Sequence, residues 1–366
     1  MHAVDDSCRE ECAGTTRKTP DTAPVWAGST APAQWGSRSP LALGHPIASN
    51  PPVLPHFSAV APFSHSCAMD PLRPRQPPAA VGATAEAVNL QAVTGLPTVE
   101  FHDVIGSTMD RARELAAMPS VSLPALVVAG RQHAGRGRRA AAWWQPPGSL
   151  AMTLVLAVDQ LKAPLPIWSP ACGLAVAESI AQLQSELMPQ VRWPNDVELH
   201  GRKLAGVLVE VTTMGRLLIG IGINTHGSAA DAPAAIADRL TTLADVSGQP
   251  LAHDRLLAVL IPALQMMIAC TGEPAAVAEL VERYRQRCSL TGQRVTLYDV
   301  LAEPVSGIGS VAGPLRAASL SGVCLGIEET GRLVIESAAG RLAIVAGSLT
   351  SADQVWTGSV SVTEAD

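Results

Sequence analysis

The sequence predicts an α+β protein: a mixed, largely antiparallel sheet with helices, followed by a small all-β unit at the C-terminal end. Three observations lead to that class. Between Val191 and Asn224, apolar runs are separated only by tight turns at Pro194-Asn195-Asp196, His200-Gly201 and Met214-Gly215. That is the pattern of hairpins and not of βαβ units. From Leu290 onward short apolar pieces alternate with glycine-rich turns, as in a compact barrel. Residues Met1 to about Ala92 are rich in Pro, Ala, Ser and Gly and keep no helical or alternating period. Such a segment cannot bury enough surface to offset the entropy of ordering it. The expected organisation is a disordered extension over 1–95 (with Met69 as an alternative start), a main domain over 96–289 and a β domain over 290–366.

Order is expected from about Pro97, with a strand at Val99 to Val104. Ser107 stands three residues before Asp110, a near match to a capping box, so a helix is expected to about Met118, ended by Pro119. Leu126 to Ala129 and Leu150 to Val158 read as strands around the loop Gly130 to Pro147. Ser169-Pro170 looks like a cap with proline at the first helical position, starting a helix that reaches about Leu187. Val191 to Trp193, Val197 to Leu199, Lys203 to Val211 and Arg216 to Asn224 read as strands. Helices are expected at Asp254 to Cys270 and Pro274 to Arg287. The closing β pieces are Arg294 to Leu297, Gly322 to Ile327, Leu333 to Ile335 and Leu342 to Val345.

Composition excludes several classes. Of the 366 residues 47% are hydrophobic, enough for a sizeable core, and 16% are charged, with a net charge of -6. A dedicated nucleic-acid binder usually carries a basic surplus. The seven cysteines are scattered and form no CxxC pair, so neither a disulfide framework nor a zinc ribbon is suggested. A reducing, cytoplasmic setting fits that usage. The N-terminus lacks a basic segment followed by an apolar one, as a signal peptide would have. Leu256 to Cys270 is short for a bilayer span and contains Pro262, so no membrane partner is expected. GxxxxGK[ST], HExxH and GxSxG are all missing. Gly220-Ile221-Gly222-Ile223-Asn224 is a fragment of a dinucleotide fingerprint without its βαβ setting.

Three stretches carry chemistry. The loop Gly130 to Pro147 sets Arg131, Arg136, Arg138 and Arg139 among Gly130, Gly135 and Gly137. Glycines allow close approach of the backbone to a ligand, and arginines supply forked donors that fit phosphate and carboxylate. Such a loop between two strands can close over a bound anion; a solvated basic loop, or a nucleic-acid contact, has the same composition. Arg192 to Asp196 places an amide and a carboxylate at a turn, where the carboxylate can hold Mg²⁺ bound to a polyphosphate. A solvated Asn-Asp turn is the plainer reading. Lys203 opens an apolar strand and would project at a sheet edge, either into a site or as a snorkelling surface lysine.

In combination, Ser107-Thr108, Gln132 to Arg139, Trp143, Arg192 to Asp196, Lys203 to Glu210 and Gly220 to Asn224 resemble the biotin–protein ligase family. The resemblance implies a class II aminoacyl-tRNA synthetase/biotin synthetase-like sheet with helices on one side, then an SH3-like barrel. It implies an ATP-dependent reaction in which biotin becomes biotinyl-5'-AMP and is passed to a lysine of a biotin carboxyl-carrier domain of acetyl-CoA carboxylase, with Mg²⁺ accompanying ATP. By the same resemblance Ser107, Thr108, Met109, Gln132, Arg136, Gly137, Arg138 and Lys203 bind biotin. Arg136, Arg138, Trp143, Asn195, Asp196 and Asn224 serve ATP and the adenylate, with Asp196 toward the metal. Lys203 and Arg138 act in catalysis. Ala140 stands where the family usually has glycine, which costs roughly 1 kcal/mol if the position needs positive φ, and Arg192 replaces a frequent lysine. Residues Met1 to Ala92 show no winged helix-turn-helix pattern, so a monofunctional enzyme without DNA binding is expected, as monomer or homodimer. A lipoate–protein ligase or lipoyl transferase shares the fold, but its RRxSGGG-type segment is missing here.

Overall fold

A seven-stranded sheet organises the protein: β1 (Thr98–Ile105), β2 (Ala125–Gln132), β3 (Leu150–Ala157), β4 (Gln190–Arg192), β5 (Asp196–Leu199), β6 (Arg202–Val211) and β7 (Arg216–Ile223), in the order β1-β2-β3-β7-β6-β5-β4. The computed structural model describes residues 85–138, 141–157, 165–305 and 314–350, all within one compact unit. The expectations for 1–84, for Arg139 and for Ala140 lie outside the described residues. β1 and β2 run parallel, and every other neighbouring pair is antiparallel. The mixed, largely antiparallel sheet is therefore as the hairpin pattern predicts.

Period-two alternation sorts the side chains. Leu126, Val128, Leu154, Leu217, Ile219, Ile221 and Ile223 join the main core with helices α1 (Ala85–Thr94), α3 (Leu165–Leu183), α6 (His253–Cys270) and α7 (Pro274–Arg287). Their neighbours Ala125, Val127, Val155 and Leu218 face α2 (Thr108–Ala117) through Met109, Ala112 and Leu115. Helices thus cover both faces, not one side. That is why β2 and β3 read as unbroken apolar runs: a strand buried on both faces has no polar position to alternate.

Four expectations are corrected. Residues 85–94 are not disordered but form α1, which packs on α6 and β1. Only Ala87 and Leu90 of α1 are buried, too few to imprint a helical period. Helix α3 begins upstream of Ser169, at Leu165, and carries Pro170 inside it. Burial of Ile167, Trp168, Ala171 and Cys172 offsets the backbone bond that the proline forgoes. The same helix ends at Leu183; Leu187 is buried in the turn beyond, so its apolar character reflects core packing. Finally, α4 (Ala234–Ala237) and α5 (Leu243–Ser247) occupy a connection the sequence reading left without elements.

Beyond α7, β8 (Arg294–Pro304), β9 (Leu315–Ile327), β10 (Leu333–Ser337) and β11 (Gly340–Thr350) close into a barrel in the order β10-β11-β8-β9. Leu297, Ala302, Cys324, Leu333, Ile335, Leu342 and Ile344 fill it. All four strands are longer than their apolar pieces, because positions such as Ser319 and Ser321 are paired but not buried. Helix α6 is, among the described residues, the one long and apolar enough to cross a membrane. Its Leu256, Leu257, Leu260, Ile261 and Leu264 lie in the core.

Leu90 tests whether α1 belongs to the fold. Truncating a buried leucine costs about 2–5 kcal/mol, so Leu90→Ala is expected to lower the denaturation midpoint by a free energy in that range; an unchanged midpoint would show α1 to be an appendage.

Candidate active site

The face of β7 that carries Leu218 continues with Gly220 and Gly222, and these two glycines make the floor of the site. A Cβ on Gly220 would lie 2.6 Å from the Met109 sulfur, and one on Gly222 would overlap the Trp143 ring. Both side chains can lie flat on the sheet only because β7 has nothing there. Above this floor is a cavity of about 800 Å³.

One wall comes from the start of α2 and the end of β2. Ser107 holds the N-cap position in extended backbone, as expected, but its hydroxyl makes no capping bond. It is buried and without a partner among the described residues. The cap's work falls to Gln132, whose Oε1 accepts from Thr108 N at 2.7 Å and from Thr108 Oγ1 at 3.0 Å. Thr153 Oγ1 donates to Thr108 Oγ1 at 2.9 Å. The hydroxyls and the amide are thus fixed by one another. Gln145 ties the loop's two ends together: its Oε1 accepts from Gln132 N at 2.9 Å, and its Nε2 donates to Gly130 O at 3.0 Å and Ser149 O at 3.2 Å.

The arginine loop folds on itself as a small hairpin, with Arg136 bridging Ala142, Gly137 N donating to Ala141 O at 2.7 Å and Trp143 N to Gly135 O at 3.0 Å. Arg136 is paired with Asp110 of α2. Arg138 reaches across the cavity and donates to Asn195 Oδ1 at 3.4 Å. The loop therefore spans the site from the α2 side to the β4–β5 turn.

The opposite wall is cationic and acidic together. Lys203 Nζ lies 2.6 Å from Asp196 Oδ1. Lys203 is not at a sheet edge, because Arg239 and Thr241 bond its backbone on the side away from β5. Asn195 bonds Val207 twice, through its carbonyl and through Nδ2, each at 2.9 Å. Arg192 sits 3.5 Å from Glu198, whose other oxygen accepts from Ser289 Oγ at 2.9 Å.

Of the residues singled out in the sequence, Ser107, Thr108, Met109, Gln132, Arg136, Gly137, Arg138, Trp143, Asn195, Asp196 and Lys203 all line the cavity. Asn224 is not brought to it. It is buried, its Nδ2 donates to Thr241 O at 3.0 Å, and its backbone joins Leu204 and Leu243. It supports the segment behind Lys203. Sequence reasoning missed Asp238 and Arg239, which follow α4, and Tyr298, Asp299 and 347–349 of the barrel. No motif marks them; Asp299 alone has a structural sign, a left-handed φ of 53° at a step where the ladder skips.

A polar cluster supports the loop from behind. Thr225 Oγ1 lies 2.8 Å from His253 Nε2 and 2.9 Å from His226 Nδ1, and donates to Gly148 O at 3.3 Å. Burial, and next the His226 imidazole beside it, push His253 down to about 4 from the ordinary 6.5. The folded state thus favours neutral His253, while the unfolded chain takes up a proton below 6.5. This contribution to stability is full above that value and is expected to be lost as pH falls toward 4. Thermal melts across that window should show a slope that His253→Gln reduces.

The comparisons with known proteins agree with this geometry. Residues 101–226 match the model of the biotin/lipoate A/B protein ligase family. The chain is 30% identical over 250 residues to the bifunctional ligase/repressor BirA of Bacillus spizizenii, covering 66% of this chain and 70% of that one. It is 31% identical over 254 residues to the biotin–[acetyl-CoA-carboxylase] ligase of Paracoccus denitrificans, covering 65% of this chain and 95% of that protein. Among solved structures, the biotin protein ligase of Aquifex aeolicus in complex with biotin and ATP superposes with a TM-score of 0.56 at 25% identity, over 69% of this chain and 97% of that one. Fold and cavity define a ligase of the kind that attaches a small carboxylic acid to protein. Within that class the chain belongs to the biotin–protein ligase family.

Gly222 tests the floor. A methyl group there must displace Trp143, so Gly222→Ala is expected to cost about 1–3 kcal/mol, the usual cost of overpacking. Trp143→Ala in the same protein should return part of that loss, as a double-mutant cycle on denaturant midpoints would reveal.

Proposed function

We propose that this protein is an ATP-dependent biotin–protein ligase that forms biotinyl-5'-AMP and transfers biotin to a lysine of the carboxyl-carrier domain of acetyl-CoA carboxylase. The observation that carries the reading is the pairing of an orphaned hydroxyl with a cationic wall. Ser107 Oγ is buried in the cavity lining without a partner among the described residues, beside a Thr108–Gln132 pair made through the carbonyl end of the amide. Buried polar groups are rarely left unpaired unless a ligand or water completes them. Biotin offers a ureido ring, with donors and an acceptor, at one end and a carboxylate at the other. The carboxylate end then falls toward Arg136, Arg138 and Lys203.

Both reactants of the first step are anions. Fixed positive charge lowers the cost of bringing them together and of the charge that builds up as a carboxylate oxygen attacks the α-phosphorus and pyrophosphate leaves. Lys203 is the residue assigned to that charge, with Arg138 closing over it. If Mg²⁺ accompanies ATP, as in this family, Asp196 and Asn195 are the residues that would hold it, oxygen donors of the kind the ion takes. In the second step the amine of the acceptor lysine attacks the acyl carbon and AMP departs. Exclusion of water by the arginine loop protects the mixed anhydride until then. The closed barrel is read as the SH3-like domain of this family, with ligase and barrel domains meeting near residue 290.

The test is pyrophosphate–ATP exchange by the purified protein, followed by transfer of labelled biotin to a carrier domain. Exchange is expected with biotin and not with lipoate, which has no ureido group to satisfy the site's polar atoms. Lys203→Ala is expected to slow adenylate formation by about a hundredfold, roughly 3 kcal/mol. Equal exchange with lipoate would sink the substrate claim; an unaltered rate for the variant would leave Lys203 a bystander.

A further inference from the structure

The turn that carries Asn195 and Asp196 lies where a sheet is weakest. β4 is the terminal strand of the sheet and runs only from Gln190 to Arg192, with β5 as its sole strand neighbour. An isolated hairpin of such length is marginal in water, and edges of this kind open first. On its inner side the turn is tied to β6 by the two Asn195–Val207 bonds. On its outer side the grip comes from the C-terminal part of the chain. Ser289, just past α7, donates its backbone N–H to Val191 O at 2.9 Å and its hydroxyl to Glu198 at 2.9 Å. At the tip, the Trp193 indole N–H donates to Gly331 O at 3.0 Å.

Gly331 belongs to the turn between β9 and β10, which Gly331 N closes by bonding Glu328 O at 2.8 Å. Its φ of +85° is one that other L-residues rarely adopt. A Cβ there would lie 2.5 Å from Ile167 Cα and 2.6 Å from Ile167 N, inside the first turn of α3. The barrel turn is therefore wedged against α3 on one side and presents a fixed carbonyl to Trp193 on the other. Backbone conformation and space both demand glycine.

We propose that Trp193 and Gly331 are positioning residues: the hydrogen bond from the catalytic turn to the barrel sets where Asn195 and Asp196 stand in the cavity, so the barrel is part of the active-site scaffold. The proposal rests on the ligase reading, in which those two residues meet the nucleotide. Its effect is confined to that side of the cavity. Ser107, Thr108 and Gln132 are held by α2, β2 and β3 and, among the described residues, have no bond to the barrel.

The experiment compares wild type with Trp193→Phe, which keeps a ring but loses the N–H, and with Gly331→Ala. In biotin-dependent pyrophosphate–ATP exchange, each variant is expected to raise KM for Mg-ATP about tenfold, the value of one lost hydrogen bond of ordinary strength. KM for biotin should stay within about twofold, since no part of that wall is altered. A merely structural bond would lower the melting temperature and leave both KM values alone in the folded fraction, and that result overturns the proposal. Should Gly331→Ala not fold, Trp193→Phe decides. Amide hydrogen exchange of 193–196 in the substrate-free protein gives a readout independent of activity. Faster exchange in Trp193→Phe supports the coupling even if the wild type fails to use biotin; unchanged exchange refutes it even if the wild type is a good ligase.

Discussion

What β7 leaves out governs the site. Its core face carries Leu217, Ile219, Ile221 and Ile223, all essentially buried, while its other face passes from Leu218 to Gly220 and Gly222. The strand is central, paired with β3 and β6 along nearly its whole length. It can lose side chains on one face because the other anchors it. Glycine inside a strand usually weakens it; here the cost falls on the strand best able to bear it. The vacated volume receives Met109 and Trp143, and the space above them is the cavity. Register matters as much as composition, since a slip of one residue would turn the isoleucines into the cavity and the glycines into the core.

Three of the cavity's cations are held in ion pairs before any substrate arrives. Arg136 has Asp110, Arg192 has Glu198 and Lys203 has Asp196. An unpaired cation in a partly dry site is costly, whereas a paired one can be re-partnered with little net change. In the proposed reaction, substrate anions take over donors already oriented, so little reorganisation accompanies the chemistry. The Lys203–Asp196 pair has a particular consequence. In the proposed reaction, a nucleotide that re-partners Asp196 would also change what Lys203 faces, because the two are joined.

The sequence disclosed most where a local rule and the tertiary demand agree. Hairpins at Asn195-Asp196 and His200-Gly201 were legible because turns leave short-range signals, and α7 begins and ends as its proline and apolar spacing indicate. It disclosed least where burial alone decides. α1 is recorded in two buried residues, and the start of α3 is set by packing that overrides a proline. In the site, residues on a motif were legible, and Arg239 and Asp299, brought in by a connection and a barrel strand, were not. Asn224 shows the opposite failure. It belongs to a recognisable motif, yet its side chain holds the chain behind Lys203 and does not face the cavity. A motif records that a residue is needed, not whether the need is contact or support.

In the proposed reaction the arginine loop admits substrates and then excludes water, and its bonding bears on both demands. Its base is locked: Gln145 spans β2 and β3 with three bonds, and Thr225 with the two histidines braces Gly148 from below. Farther out, Arg136 makes a half-exposed pair with Asp110 and Arg138 a long bond of 3.4 Å to Asn195. Exposed ion pairs contribute about 0–1 kcal/mol, so the Arg136–Asp110 pair adds little, whereas the base is tied by several bonds that are mostly part-buried. In the proposed reaction those arginines would meet phosphate and carboxylate charge, and charge-assisted bonds of that kind are about twice as strong as neutral ones, so the adenylate itself would strengthen the closure that keeps water out.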